Sequence, residues 1–115
     1  MSYEGSCHCG AVAFTVEGDI PTEAMSCNCS HCRRKGFLFT FVPAETFTLN
    51  KGEDVLTDYL FNKHAITHRF CSVCGCQPFA EGKGKDGETR AVNLRCVPDA
   101  DLDALKLNRV DGASF

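Results

Sequence analysis

The chain has 115 residues, 43% of them hydrophobic and 23% charged, with a net charge of −3. That length suits one domain over residues 1–115, with a modest core near the size at which stapling helps. The balance of charge gives no electrostatic case for a nucleic-acid or membrane partner, and no apolar run approaches a membrane span. Met1-Ser2-Tyr3-Glu4-Gly5 has neither a basic nor an apolar segment, so a cytoplasmic protein is expected.

The first cysteine group, Cys7-His8-Cys9-Gly10, precedes a stretch that alternates from Ala11 to Glu17. Val12, Phe14 and Val16 fall on one face, the pattern of a half-buried strand. Gly18-Asp19-Ile20-Pro21 ends it in a turn. The second group, Cys27-Asn28-Cys29-Ser30-His31-Cys32, is a C-x-C-x-x-C run followed by Arg33-Arg34-Lys35-Gly36. Phe37 to Val42 is an apolar run stopped by Pro43, and its length and aromatic content favour a buried strand over a helix.

Phe47-Thr48-Leu49 alternates again, Asn50 to Glu53 reads as a turn, and Val55–Phe61 and Ala65–Phe70 are strand candidates joined through Asn62-Lys63-His64. The third group, Cys71-Ser72-Val73-Cys74-Gly75-Cys76, resembles a zinc knuckle in which Gly75 takes positive φ and turns backbone N–H groups toward the thiolates. Gly82 to Gly87 reads as a hairpin loop or a site rim. Thr89 to Arg95 is the last clear strand, with Ala91, Asn93 and Arg95 opposite Val92, Leu94 and Cys96. Asp99 to Leu105 is compatible with one short helical turn, its acidic residues at the start. Short strands dominate and no long amphipathic helix appears. The expectation is a mainly β domain of short antiparallel sheets, with little helix and no tandem repeat.

Eight of the nine cysteines sit in the three groups and Cys96 stands alone. In a reducing compartment such spacings point to metal rather than disulfides, and the two ends of a C-x-x-C can aim both thiolates at one ion. Groups of two, three and three cysteines suit two zinc ions better than one. Spacing alone does not say which groups share an ion, or whether Cys76 or His31 completes a set. Cys76 also suits a small residue packed beneath the knuckle, and Cys96 a buried structural thiol. For His31 the favoured expectation is an exposed side chain between the ligands, with a fourth ligand or a proton shuttle as the alternatives. His8 is expected to point away from its neighbours' metal, and His64 and His68 read as strand or loop residues.

The ordered set Gly5-Ser6-Cys7-His8-Cys9-Gly10, Cys27-Asn28-Cys29-Ser30-His31-Cys32, Phe70-Cys71-Ser72-Val73-Cys74-Gly75 and Val92-Asn93-Leu94-Arg95-Cys96 resembles the glutathione-dependent formaldehyde-activating family, which also contains domains similar to centromere protein V. The likeness runs from about Gly5 to Val110-Asp111-Gly112. It implies a zinc-stapled β-tent in which Cys7, Cys9, Cys71 and Cys74 hold a structural zinc. Cys27, Cys29 and Cys32 would hold a second zinc whose open position is the catalytic site. It further implies a carbon–sulfur lyase-type reaction, in which glutathione adds to formaldehyde to give S-hydroxymethylglutathione. Arg33, Arg34, Arg69 and Arg95 are then candidates to receive the carboxylates of a small thiol such as glutathione. Arg33-Arg34-Lys35 stands where the family often carries a small, Ser/Gly/Ala-rich segment. The rival expectation is a non-enzymatic two-zinc module, for thiol sensing or for binding another macromolecule, in which a fourth protein ligand closes the second site. An iron site for electron transfer is a third class.

Overall fold

The computed structural model describes residues 1–60, 66–84 and 87–114. Its strands are β1 (Ser2–Ser6), β2 (Ala13–Glu17), β3 (Glu23–Cys27), β4 (Phe39–Pro43), β5 (Phe47–Lys51), β6 (Leu56–Tyr59), β7 (Thr67–Cys71), β8 (Phe79–Gly84), β9 (Gly87–Asn93) and β10 (Lys106–Val110), with one helix, α1 (Ser30–Lys35). They form a three-stranded sheet ordered β1-β2-β5 and a seven-stranded sheet ordered β10-β3-β4-β9-β8-β7-β6. The fold is mainly β, as expected. Every pairing is antiparallel except β10 with β3, where Lys106 to Val110 run parallel to Glu23 to Cys27.

The alternation in β2 decides how the sheets meet. Phe14 and Val16 are fully buried, and with Tyr3 of β1 they face Leu38, Val92 and Leu94 of the larger sheet's layer, while Val12, just before the strand, is buried against Cys7, Cys71 and Phe79. Phe14 stacks on Phe47 at 5.1 Å between centroids, and both rings meet Phe79 of β8. Fully burying each such side chain is worth about 1.5–3 kcal/mol, so this aromatic knot is the main apolar bond between the sheets. Close approach also requires Gly5, since a Cβ there would strike the Phe14 ring.

Several expectations change. The run 37–42 is buried only through Phe39; Phe41 is 51% exposed, because the face of β4 that carries it opens on a cavity. Pro43 ends β4 from inside the strand, as an edge-tolerant last residue. Strand β9 stops at Asn93, where the Asn93 side chain accepts from Arg95 N–H and starts a 3₁₀ turn over Leu94–Cys96. That breaks the alternation expected through Arg95. Asp99 to Leu105 forms successive turns rather than a helix, closed by Ala100 N–H to Val97 O and Ala104 N–H to Asp101 O. Leu102 and Leu105 are held instead by packing on the main core. The turn expected at Asn50 to Glu53 begins only at Gly52, since β5 runs to Lys51. Gly84 pairs with Gly87, so β8 and β9 are the hairpin expected there. The joint through Asn62-Lys63-His64 lies outside the described residues.

Candidate metal centres and their cavities

The fold brings the first and third cysteine groups together and leaves the second by itself. In the first assembly, the Sγ atoms of Cys7, Cys9, Cys71 and Cys74 all lie within 4.8 Å of one another. Cys7 and Cys9 follow β1 on a turn closed by Gly10 N–H to Cys7 O, with Gly10 at φ 82°. Cys71 ends β7 and Cys74 sits on the next turn, closed by Gly75 N–H to Cys71 O with Gly75 at φ 83°. Two similar glycine-closed turns thus present two thiols each.

The spacing tests what this assembly can hold. Cys7 and Cys9 sulfurs are 3.6 Å apart, and those of Cys9 and Cys71 are 3.7 Å apart. A tetrahedron with metal–sulfur bonds of about 2.3 Å has an edge of about 3.8 Å, whereas a disulfide needs about 2.05 Å. The donor set therefore fits a tetrahedral thiophilic ion and is compatible with zinc. Backbone donors complete it: Val12 N–H reaches Cys7 Sγ at 3.3 Å and Val73 N–H reaches Cys71 Sγ at 3.4 Å. Hydrogen bonds from the Cys76 and Cys9 backbone pull the Cys74 thiol down to about 6.

The second assembly is Cys27, Cys29 and Cys32, whose sulfurs also lie within 4.8 Å of one another. Cys27 closes β3. Cys29 caps α1, its Sγ accepting from Cys32 N–H at 3.2 Å, and Gly36 ends the helix in the left-handed conformation at φ 71°. Arg33, Arg34 and Lys35 occupy the last turn, where cations suit the negative end of the helix. Desolvation raises the Cys29 thiol, but the Cys32 N–H and the neighbouring thiols outweigh it, and the net shift is downward. Burial pushes the Cys32 thiol strongly up. A fourth donor is not among the described residues that share this group.

The C-terminal segment closes over these thiols. Asn28 Nδ2 donates to Asp111 Oδ1 at 3.0 Å, and Ala113 N–H donates to Asn28 Oδ1 at 3.0 Å. Gly112 has to be glycine for room: a Cβ there would collide with Cys27 Sγ and come 3.3 Å from Cys29 Cβ.

Two cavities meet at the three thiols. One, of about 530 Å³, is lined by Cys27, Cys32, Arg33, Arg95, Arg109 and Asp111 among others. The other, of about 630 Å³, is lined by Cys27, Cys29 and Cys32 and by a largely apolar set around Phe39 and Phe41. Phe37 walls the first cavity and Phe39 the second.

The arginines divide. Arg33 and Arg95 stand at the basic cavity, with Arg95 Nε anchored on Gly36 O at 2.6 Å. Arg34 Nη1 donates to Ser30 O along the helix. Arg69 is placed elsewhere, its guanidinium bound by Glu53 at 2.7 Å, Asp58 at 2.9 Å and Glu81 at 3.2 Å. Three carboxylates already meet its positive charge, so Arg69 ties β6, β7 and β8 together. Arg109, on β10, is a cavity residue that sequence reasoning missed. Its strand is polar and pairs with a segment more than eighty residues away, so no local pattern announced it.

The remaining candidates are structural neighbours. Cys76 lies outside the four-sulfur group and packs against the cluster of Cys7, Val12, Cys71 and Phe79. Cys96, in its 3₁₀ turn, donates toward Gln77 O at 3.9 Å, and burial raises its thiol to about 12. His8 is exposed. His31 does not join the three sulfurs; its ring meets His68 at 4.4 Å and Tyr59 at 5.1 Å. His68 is buried with Nδ1 at 2.8 Å from the Gln77 amide, and desolvation holds its pKa down to about 4. His64 lies outside the described residues. Among the described residues no helix is long and apolar enough to cross a membrane.

A family model described as glutathione-dependent formaldehyde-activating enzyme matches residues 2–107. Among solved structures, the crystal structure of a Rhodobacter sphaeroides protein superposes with a TM-score of 0.79 at 28% identity, covering 93% of this chain and 99% of that one.

Proposed function

The chain belongs to the glutathione-dependent formaldehyde-activating family, and from that premise we propose that it binds glutathione at Cys27, Cys29 and Cys32 and makes or breaks the carbon–sulfur bond of S-hydroxymethylglutathione. One observation carries the reading: a three-sulfur group, rather than a four-sulfur one, sets two of its residues, Cys27 and Cys32, in the wall of a cavity lined by Arg33, Arg95 and Arg109. Three sulfurs leave a tetrahedral ion one position for a ligand, while Cys7, Cys9, Cys71 and Cys74 make a closed structural set. A zinc ion held by the three would lower the pKa of an incoming thiol and fix its sulfur.

The chain's own residues supply the rest. Glutathione carries two carboxylates and one ammonium group. Arg33, Arg95 and Arg109 offer fork-shaped donors to the carboxylates, and Asp111 offers the opposite charge to the ammonium. Asp111 is held ready: hydrogen bonds from Ser114 and Asn28 keep its carboxyl below the usual range, hence ionised. In the forward direction the thiol proton ends on the aldehyde oxygen as the carbon–sulfur bond forms. Orientation is the protein's main contribution, since the addition is chemically easy.

The test is metal content per chain by elemental analysis, with and without added glutathione, for the parent protein and for Cys29→Ser. Two zinc ions falling to one in the variant, with glutathione retarding loss of the labile ion to a chelator, supports the reading. One tightly held ion unaffected by Cys29→Ser sinks it and leaves a structural module.

A further inference from the structure

The basic cavity accounts for only one side of the three thiols. Cys27 and Cys32 face both cavities, and Cys29 faces the second. A sulfur ligand seated here has two directions in which to send substituents. One carries three arginines, Arg33, Arg95 and Arg109, suited to the peptide part of glutathione. The other, of about 630 Å³, is walled by Met25, Phe39, Phe41, Ile66, Ala80 and Ala91. Charged groups at its edge are committed or solvated: Glu81 pairs with Arg69 and Arg90, and Lys83 is exposed. Gly82, Gly84 and Gly112 add wall without side chains. Phe41 and Ile66 are 51% and 48% exposed, an apolar lip at a cavity mouth.

The size is out of proportion to a one-carbon group. A hydroxymethyl has two heavy atoms and fills roughly twice the ~30 Å³ share of one water. The rest of a largely apolar cavity would hold water poorly, because each water needs two to four polar partners. A volume in this range is that of a pocket for a drug-sized ligand.

We infer that the second cavity takes an apolar substituent on the carbon joined to the substrate sulfur, so that the substrates include thiohemiacetals of glutathione with aliphatic or aromatic aldehydes larger than formaldehyde. This rests on the three thiols being the glutathione site. The step conserves atoms and electrons. The glutathione sulfur attacks the carbonyl carbon, the carbon–sulfur bond forms as the carbonyl π bond breaks, and the thiol proton becomes the hydroxyl proton. Cleavage is the reverse, and no redox partner enters. Ala80 and Ala91, buried on neighbouring strands and paired with each other, set the depth. Phe39 and Phe41 give flat walls for an aromatic or extended alkyl group.

The experiment is isothermal titration of the metal-loaded protein with glutathione and with S-methyl-, S-butyl- and S-hexylglutathione. Affinity within the thioether series is expected to rise by roughly three- to fourfold per methylene. Ala91→Leu, with its zinc content and melting temperature recorded to establish that it folds, is expected to erase the gain from butyl to hexyl. Phe41→Ser, at the exposed lip, is expected to reduce the same gain by about threefold without asking the core to repack. A flat series, or thioethers that fail to bind where glutathione binds, overturns the inference and leaves the thiol site standing. Failure of glutathione itself to bind removes both.

Discussion

The two sulfur groups are built in opposite ways. Cys7 and Cys9 hang from the three-stranded sheet, while Cys71 and Cys74 belong to the seven-stranded one, so the four-sulfur group is a clasp between layers. Its sulfurs come from residues up to 62 positions apart in a direct contact. Cys27, Cys29 and Cys32 come from one strand end and one helical turn, and they clasp nothing distant by themselves. A metal clip stabilises most where it closes a long loop, so an ion at the first group contributes to holding the fold together. The second group closes no such loop, so an ion there would contribute less to the fold.

The comparison breaks most visibly at the clasp. Cys71→Ser is expected to cost at least about 3 kcal/mol, a fall in melting temperature of roughly 12–24 °C for a domain near this size, with both sheets losing order together in circular dichroism. A melting temperature within a few degrees of the parent's would mean that the aromatic knot, not the metal, joins the layers.

Acid is expected to act next most strongly, through His68. Its folded pKa of about 4 lies below the ordinary value of 6.5. The folded protein therefore binds fewer protons than the unfolded chain between those values, and stability present above pH 6.5 is lost as pH falls toward 4. The full effect is roughly 3 kcal/mol. The urea-midpoint gap between the parent and His68→Gln should narrow from pH 7 to pH 5, since glutamine does not titrate; a constant gap would count against a neutral buried His68.

Gly112→Val tests the second group without replacing a cysteine. The new side chain would press on Cys27 and Cys29, and the affinity for the second ion is expected to fall by roughly 10- to 100-fold while the first ion is retained. Competition with a chromogenic chelator resolves the two ions. Smallest of all, Cys29→Ser should shift the melting temperature by no more than about 4 °C, under 1 kcal/mol, even as it abolishes the second site. A large drop would show that both groups hold the fold and that the division between them is wrong.

What could be read from the chain beforehand follows the same division between local and distant. The second group was legible because its donors and its capping glycine lie within ten residues, and C-x-C-x-x-C spacing is a local geometric fact. The buried face of β2 was legible for the same reason, as a period of two. The joining of the first and third groups was open on spacing alone and came only through the family likeness, because it depends on how the sheets pack. β10 was invisible: Lys106-Leu107-Asn108-Arg109-Val110 is a polar segment that becomes a strand only by docking parallel to β3. Its Arg109 went unnoticed with it. Arg69 shows the converse. Its place beside a cysteine group suggested a ligand contact, but Glu53, Asp58 and Glu81 converge on it from three different elements. Asp99 to Leu105 carried a weak helical signal, and packing of Leu102 and Leu105 on the core overrode it.

The separation of Cys9 from Cys71 also sets a timetable for the chain as it leaves the ribosome. At roughly 5–20 residues per second, about 3–12 s pass between synthesis of the first half of the clasp and arrival of the second. Within that interval Cys27, Cys29 and Cys32 emerge together and complete their own set. The three-sulfur group is thus complete in the nascent chain before the four-sulfur clasp can form. Joining of the two sheets by this clasp therefore waits until Cys71 and Cys74 have emerged.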